Sequence, residues 1–189
     1  YAGVSVPLSG ESVCGDAWEV RVHEQGFVAL VVDGLGHGWP ASTAATSALE
    51  IFCTRAYSSG HDMLRLIHQG IAHTRGAAAT IVDVRPERAT ALVAGIGNIA
   101  SVFVSPGTSR SGVALPGILG HQARQFREFS YPWTPGTQLI LHSDGLTTRW
   151  SLDGYRGLHA RHPATVAAVL YRDCSRGRDD ATVIVARAA

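Results

Sequence analysis

Four strand-like apolar runs in this 189-residue chain each have an aspartate at one end. Residues 27–32 run into Asp33 and residues 139–143 into Asp144, whereas Asp16 opens residues 17–22 and Asp179 precedes residues 181–185. Two of these acids close a strand and two open one. In antiparallel pairing the end of one strand lies beside the start of the next, so the pattern predicts all four carboxylates at one edge of a core. Such a cluster repels itself unless cations fill it, and an all-oxygen donor set suits a hard divalent metal, Mg²⁺ or Mn²⁺, rather than zinc.

A composition 46% hydrophobic is enough to bury a substantial core, and the length predicts one domain over residues 1–189. Net charge is only +1 and the basic residues are scattered, with local clusters at 124–127 and 172–178, which argues against nucleic acid or a membrane surface as partner. Cys14, Cys53 and Cys174 are odd in number and widely spaced, the pattern of reduced thiols in a cytoplasmic protein. No apolar run approaches the ~20 residues of a membrane span, and no basic-then-apolar leader opens the chain. A first residue of Tyr1 rather than Met suggests a module of a longer protein. Oligomeric state is not legible.

Two strands come first, followed by a helix whose Ala41, Ala44, Ala45, Ala48, Leu49, Phe52 and Ala56 recur at helical spacing, with Pro40 where a first turn tolerates it. Ser58-Ser59-Gly60 ends that helix. A second helix places Leu64, Ile67 and Ile71 on one face and Asp62 near its start. Residues 78–84 and 88–94 read as a hairpin turned by Arg85-Pro86-Glu87, and a bend at Gly95-Ile96-Gly97-Asn98 leads to a strand over 99–104. Residues 105–112 read as a polar turn and 116–120 as a second loop. Pro163 opens a third helix carrying Ala167, Leu170, Tyr171 and Cys174, and residues 181–186 form the last strand. Strands outnumber crossover helices, which favours antiparallel sheets covered by helices over a doubly wound fold.

Asp33-Gly34-Leu35-Gly36-His37-Gly38 is the sharpest local signal, because a strand ending in Asp before alternating glycines leaves its backbone open to a ligand. Its glycines do not match G-x-G-x-x-G, and no G-K-[ST] follows. His142-Ser143-Asp144 invites a serine-hydrolase reading, but neighbours in a strand point to opposite faces and no G-x-S-x-G elbow exists. The nine histidines lack zinc-site spacing. His37 alone lies beside the proposed centre, either as a proton donor or phosphate ligand or as an exposed helix cap. Asp62, Asp83, Asp153 and Asp173 read as helix-cap or surface acids.

Taken in order, Gly15-Asp16, the Asp33–Gly38 segment, Gly95-Ile96-Gly97-Asn98, Ser143-Asp144-Gly145 and Asp179-Asp180-Ala181-Thr182 resemble the metal-dependent protein phosphatases of the PP2C/PPM superfamily. The likeness is to its compact bacterial, SpoIIE/RsbX-like stress-response branch and spans residues 10–185. The resemblance implies an α+β fold: a four-layer α-β-β-α sandwich of two antiparallel sheets flanked by helices. It also implies two Mn²⁺ or Mg²⁺ ions, bridged by Asp33, with the Gly34 carbonyl, Asp16, Asp144 and Asp179 as further ligands and Asp180 in support. The implied reaction is hydrolysis of phosphoserine or phosphothreonine by metal-activated water, with Asp33 and His37 as catalytic residues. Its implied substrate is a phosphorylated regulatory protein of a stress or sigma-factor pathway, such as an anti-sigma-factor antagonist domain. Two departures stand out: residues 10–14 hold no arginine for the substrate phosphate, and the flap of larger relatives is absent. A silent, partner-binding copy of the fold and a hydrolase of small phosphate monoesters are the alternative readings; all four carboxylates being present argues against the first.

Overall fold

The computed structural model describes residues 1–188. In chain order these form β1 (Ala2–Val6), β2 (Asp16–His23), β3 (Gly26–Gly34), α1 (Gly38–Thr54), α2 (Gly60–Gly70), β4 (Ala77–Arg85), β5 (Thr90–Ile96), β6 (Ala100–Ser105), β7 (Thr108–Ser111), β8 (Phe129–Pro132), β9 (Gln138–His142), α3 (Pro163–Cys174) and β10 (Ala181–Arg187). The strands make two five-stranded sheets, ordered β2-β3-β4-β5-β8 and β1-β10-β9-β6-β7. Every named pairing is antiparallel.

Alternation within the central strands explains the layering. Phe27, Ala29 and Val31 of β3 turn inward to meet Leu139 and Leu141 of β9 and Ile184 of β10 between the sheets. Val28, Leu30 and Val32 face the other way, onto Ala45, Ala48 and Phe52 of α1 and Leu64 and Ile67 of α2. Val183 and Val185 of β10 pack with Ile140 against Val166, Ala167 and Leu170 of α3. A strand covered on both faces has no polar side to display, so it appears in sequence as an unbroken apolar run. Three apolar layers between four tiers of structure give the predicted α-β-β-α sandwich.

The helices begin where their chemistry allows. Pro40 sits in the first turn of α1, where it forfeits no hydrogen bond. Ser59 caps α2 by accepting from the Asp62 amide, and Pro163 starts α3 behind the His162 cap. The alanine stripe lets α1 lie close on its sheet: a Cβ on Gly34 would stand 2.1 Å from the Ala41 carbonyl oxygen. Complete burial of Phe52, Leu64 and Ile67 is worth about 1.5–3 kcal/mol each.

Several expectations need correction. Residues 105–112, read as a polar turn, contain β7, which pairs with β6 across a tight turn at Gly107 (φ 73°). All four β7 residues are exposed, so an edge strand there shows no apolar alternation to detect. Strands β1 and β8 were not foreseen either; β8 is a four-residue edge strand closed by Pro132. Asp83 is not a surface acid. It lies 1% exposed on β4, held by Arg85 (Nη2 at 2.8 Å) and close to His23. Asp62, Asp153 and Asp173 do serve as cap or surface acids.

Candidate metal centre

Five chain segments reach one edge of the sandwich. Register puts Asp16, the first residue of β2, directly opposite Asp33 near the end of β3. On the other sheet, His142 pairs with Val183, and two residues beyond it Asp144 turns away beside the approach to β10. There the backbones touch so closely that a Cβ on Gly145 would sit 2.0 Å from the Asp180 carbonyl oxygen. The link between β5 and β6 brings in Asn98, whose Nδ2 donates to Asp144 Oδ2 at 2.7 Å. The structure thus brings Asp16, Asp33, Asp144 and Asp179 together, with Gly34 buried between them and α1.

Hydrogen bonds from Ser143 and Asp180 lock this edge, each reaching from one sheet to the chain that enters the other. Ser143 Oγ donates to Asp16 Oδ2 at 2.7 Å while accepting from the Thr182 amide at 3.0 Å. Asp180, buried, accepts from the Leu8 amide at 2.8 Å and the Gly15 amide at 2.9 Å, pinning the β1–β2 loop to the start of β10. Asp180 is therefore committed to backbone amides. Ser143 is a positioning residue rather than a nucleophile, and the buried His142 bonds the Ser143 carbonyl and receives Trp150 Nε1. The hydrolase triad is excluded by these partners. Ser143 and Asn98 both lay in sequence segments already singled out, but which acid each one holds depends on strand pairing.

The electrostatics are those of crowded negative charge with little compensation from the protein. Asp33 is pushed well above the usual carboxylate range by burial and by the charges of Asp16, Asp144, Asp179 and Asp180. Asp16 rises likewise, chiefly by burial, against the opposing hydrogen bonds from Ser143 and Thr182. Asp179 rises through burial and its acidic neighbours, with His37 acting the other way. Among the described residues, none of Asp16, Asp33, Asp144 and Asp179 is bridged by an arginine or histidine. The second oxygen of Asp16 is buried with no hydrogen-bond partner, a costly state for a carboxylate unless something positive meets it.

The residues fit a hard divalent cation. Among the described residues no three acidic, imidazole or thiol groups converge tightly round one point. A cation at this edge would therefore take only one or two carboxylates directly and keep several waters, as Mg²⁺ can. His37 occupies the N-cap position of α1 without capping it; the ring is 56% exposed, with Nδ1 2.5 Å from Glu11 Oε1. Gly36 (φ 85°) and Gly38 (φ 69°) hold the loop around His37 in the left-handed conformation that glycine tolerates. Arg176 and Arg178 share an open pocket of about 480 Å³ with Asp144 and Asp179.

A four-layer sandwich with acids from both sheets at one edge defines a PP2C-like phosphatase domain. The family model for Stage II sporulation protein E (SpoIIE) matches residues 23–189, and the chain belongs to that family. It is 25% identical over 138 residues to the phosphoserine phosphatase RsbX of Bacillus subtilis (strain 168), covering 72% of this chain and 69% of RsbX. Among solved structures, one described under the bacterial stressosome, a modular system adapted to control secondary messenger signaling, superposes with TM-score 0.88 at 28% identity over 98% of this chain and 97% of that one. RsbX in complex with magnesium superposes with TM-score 0.82 at 22% identity over 97% and 92% of the two chains.

Proposed function

We propose that this chain is a divalent-metal-dependent phosphatase that removes phosphate from serine or threonine of a phosphorylated regulatory protein in a bacterial stress or sigma-factor pathway. The observation that carries the reading is the set of four carboxylates at one sandwich edge, three of them raised in pKa and none, among the described residues, ion-paired with an arginine or histidine. RsbX, which is named a phosphoserine phosphatase and was solved with magnesium, supports the same chemistry, and the neighbour described under the bacterial stressosome supports a signalling setting. In this reading residues 1–189 act as one catalytic domain in the cytoplasm.

Two Mg²⁺ or Mn²⁺ ions would be held by Asp33, Asp16, Asp144, Asp179 and the Gly34 carbonyl. When bound, such ions supply positive charge to phosphoryl oxygens and lower the pKa of water towards neutrality. The protein's own part is positioning. Ser143 holds one oxygen of Asp16 and leaves the other without a partner, Asn98 fixes Asp144, and Asp180 ties the loops that carry Asp16 and Asp179. His37, oriented at Nδ1 by Glu11, hands a proton from Nε2 to the departing serine or threonine oxygen. Leu35 and Trp39, both exposed and two residues either side of His37, the latter at 68%, give that loop an apolar rim. Such a rim favours a protein over a small phosphate monoester as the substrate.

The test is phosphate release from a phosphoserine protein by the purified chain with Mn²⁺, with Mg²⁺ and with chelator, beside Asp33→Asn. Metal-dependent turnover that disappears in the variant is expected, with free phosphoserine a poor substrate. Near-normal turnover by Asp33→Asn would sink the assignment. Metal binding without turnover would favour the silent, partner-binding reading.

A further inference from the structure

Residues 10–14 supply no arginine ahead of Asp16, and all sixteen basic side chains of the chain are arginines, so no lysine is available to meet a substrate phosphate. Two of these arginines stand at the carboxylate edge. Arg176 and Arg178 line the pocket that also holds Asp144, Thr147 and Asp179. Their loop is fixed there by backbone: the Arg176 amide donates to the Gly145 carbonyl at 2.8 Å and the Thr147 amide to the Cys174 carbonyl at 2.9 Å. Leu146 and Ser175 form a β-bridge between the same two segments. The arginines and the acids are thus carried on chain segments that cannot drift apart independently.

What these arginines do not do is informative. Among the described residues neither pairs with an acid, although Arg178 precedes Asp179 in the chain. Arg172, nearby on α3, is by contrast locked to Asp173 at 2.6 Å. An arginine closed onto Asp144 or Asp179 would neutralise the acid and compete with a cation for it. Sharing the pocket while unpaired, it leaves the acids free and keeps its own planar fork for an anion.

We propose that Arg176 and Arg178 form the subsite for the substrate's phosphoryl group, in place of the arginine missing ahead of Asp16. The proposal rests on the phosphatase reading but makes a separate claim, that a phosphate dianion binds between this loop and the carboxylate edge. Two guanidinium groups also select for charge: a doubly charged phosphomonoester satisfies both, and a singly charged phosphodiester does not.

Inorganic phosphate binding to the Mg²⁺-loaded chain, measured by calorimetry, tests this directly. Arg176→Ala and Arg178→Ala should each weaken phosphate about tenfold, the cost of one charge-assisted hydrogen bond in a wet site, and the double variant more. Arg172→Ala should stay within about twofold of wild type, because its charge is already spent on Asp173. Mg²⁺ affinity and thermal midpoint should not move in any of the three single variants. With a phosphoserine peptide, KM should rise more than kcat falls, and Arg178→Lys should restore only part of the loss. A double variant that binds phosphate within about twofold of wild type overturns the proposal, as does a wild type that binds none. Turnover lost in Asp33→Asn but intact in the arginine variants would remove the subsite and leave the phosphatase standing. Arginine-dependent phosphate binding without turnover would do the reverse.

Discussion

Asp33→Asn separates two properties that usually fall together, because it should disable the centre while making the metal-free fold more stable. Burial and neighbouring charge push Asp33 from 3.8 up to about 8. At about 1.4 kcal/mol per pH unit, ionising it in the folded protein costs roughly 6 kcal/mol. Asp16, raised to about 7, shares that repulsion, so one substitution recovers only part of the total, about 2–3 kcal/mol. A carboxyl whose folded pKa lies above its unfolded value contributes stability that is whole below the unfolded value near 3.8. That contribution is lost as pH rises through the folded value near 8. Thermal unfolding in chelator should therefore show the variant about 5–10 °C above wild type at pH 8.5, for a domain of this size. The gap should shrink steadily towards pH 5. Saturating Mg²⁺ or Mn²⁺ should cancel it, since ligand at about 100 times its Kd adds about 2.7 kcal/mol to a fold that binds it and little to one that does not. A wild type as stable as the variant in chelator at pH 8.5, or a gap that ignores pH, would refute the claim that this edge is held under uncompensated charge.

Two other substitutions probe the frame around the centre. Asn98→Ala removes the 2.7 Å hydrogen bond to Asp144 and should weaken metal binding by about tenfold or more, as loss of a ligand's supporting partner does; unchanged calorimetric affinity would count against a positioning role. Asp83→Ala leaves Arg85 without its buried partner and should cost about 2–4 kcal/mol in urea unfolding. Metal-dependent turnover per folded molecule should persist, because Asp83 pairs in register with Val28 and Leu92, well along the strands from Asp33 and Asp16.

Much of the architecture was readable in advance because its strongest signals are local. The apolar runs of β3, β9 and β10, the alanine stripe of α1 and the proline starts of α1 and α3 all announce themselves within one element. Strands β1, β7 and β8 did not, because short edge strands bury little and need no apolar pattern. Asp83 was misplaced for a related reason: an acid's burial depends on a partner, and Arg85 two residues away looks the same in sequence whether the pair faces water or is buried.

The four aspartates and their strand-end positions follow from the chain alone, because which strands end in acid is a property of the sequence and antiparallel pairing does the rest. Only the tertiary structure decided the division of labour among them. Asp179 and Asp180 are neighbours of the same charge, yet one lines the open pocket beside Asp144 and the other is spent on the amides of Leu8 and Gly15. Ser143 likewise becomes the holder of Asp16, and Arg176 and Arg178 become candidates for phosphate. These roles arise where two sheets and a loop from distant parts of the chain meet, and hydrogen bonds across that meeting are written in no single stretch of sequence.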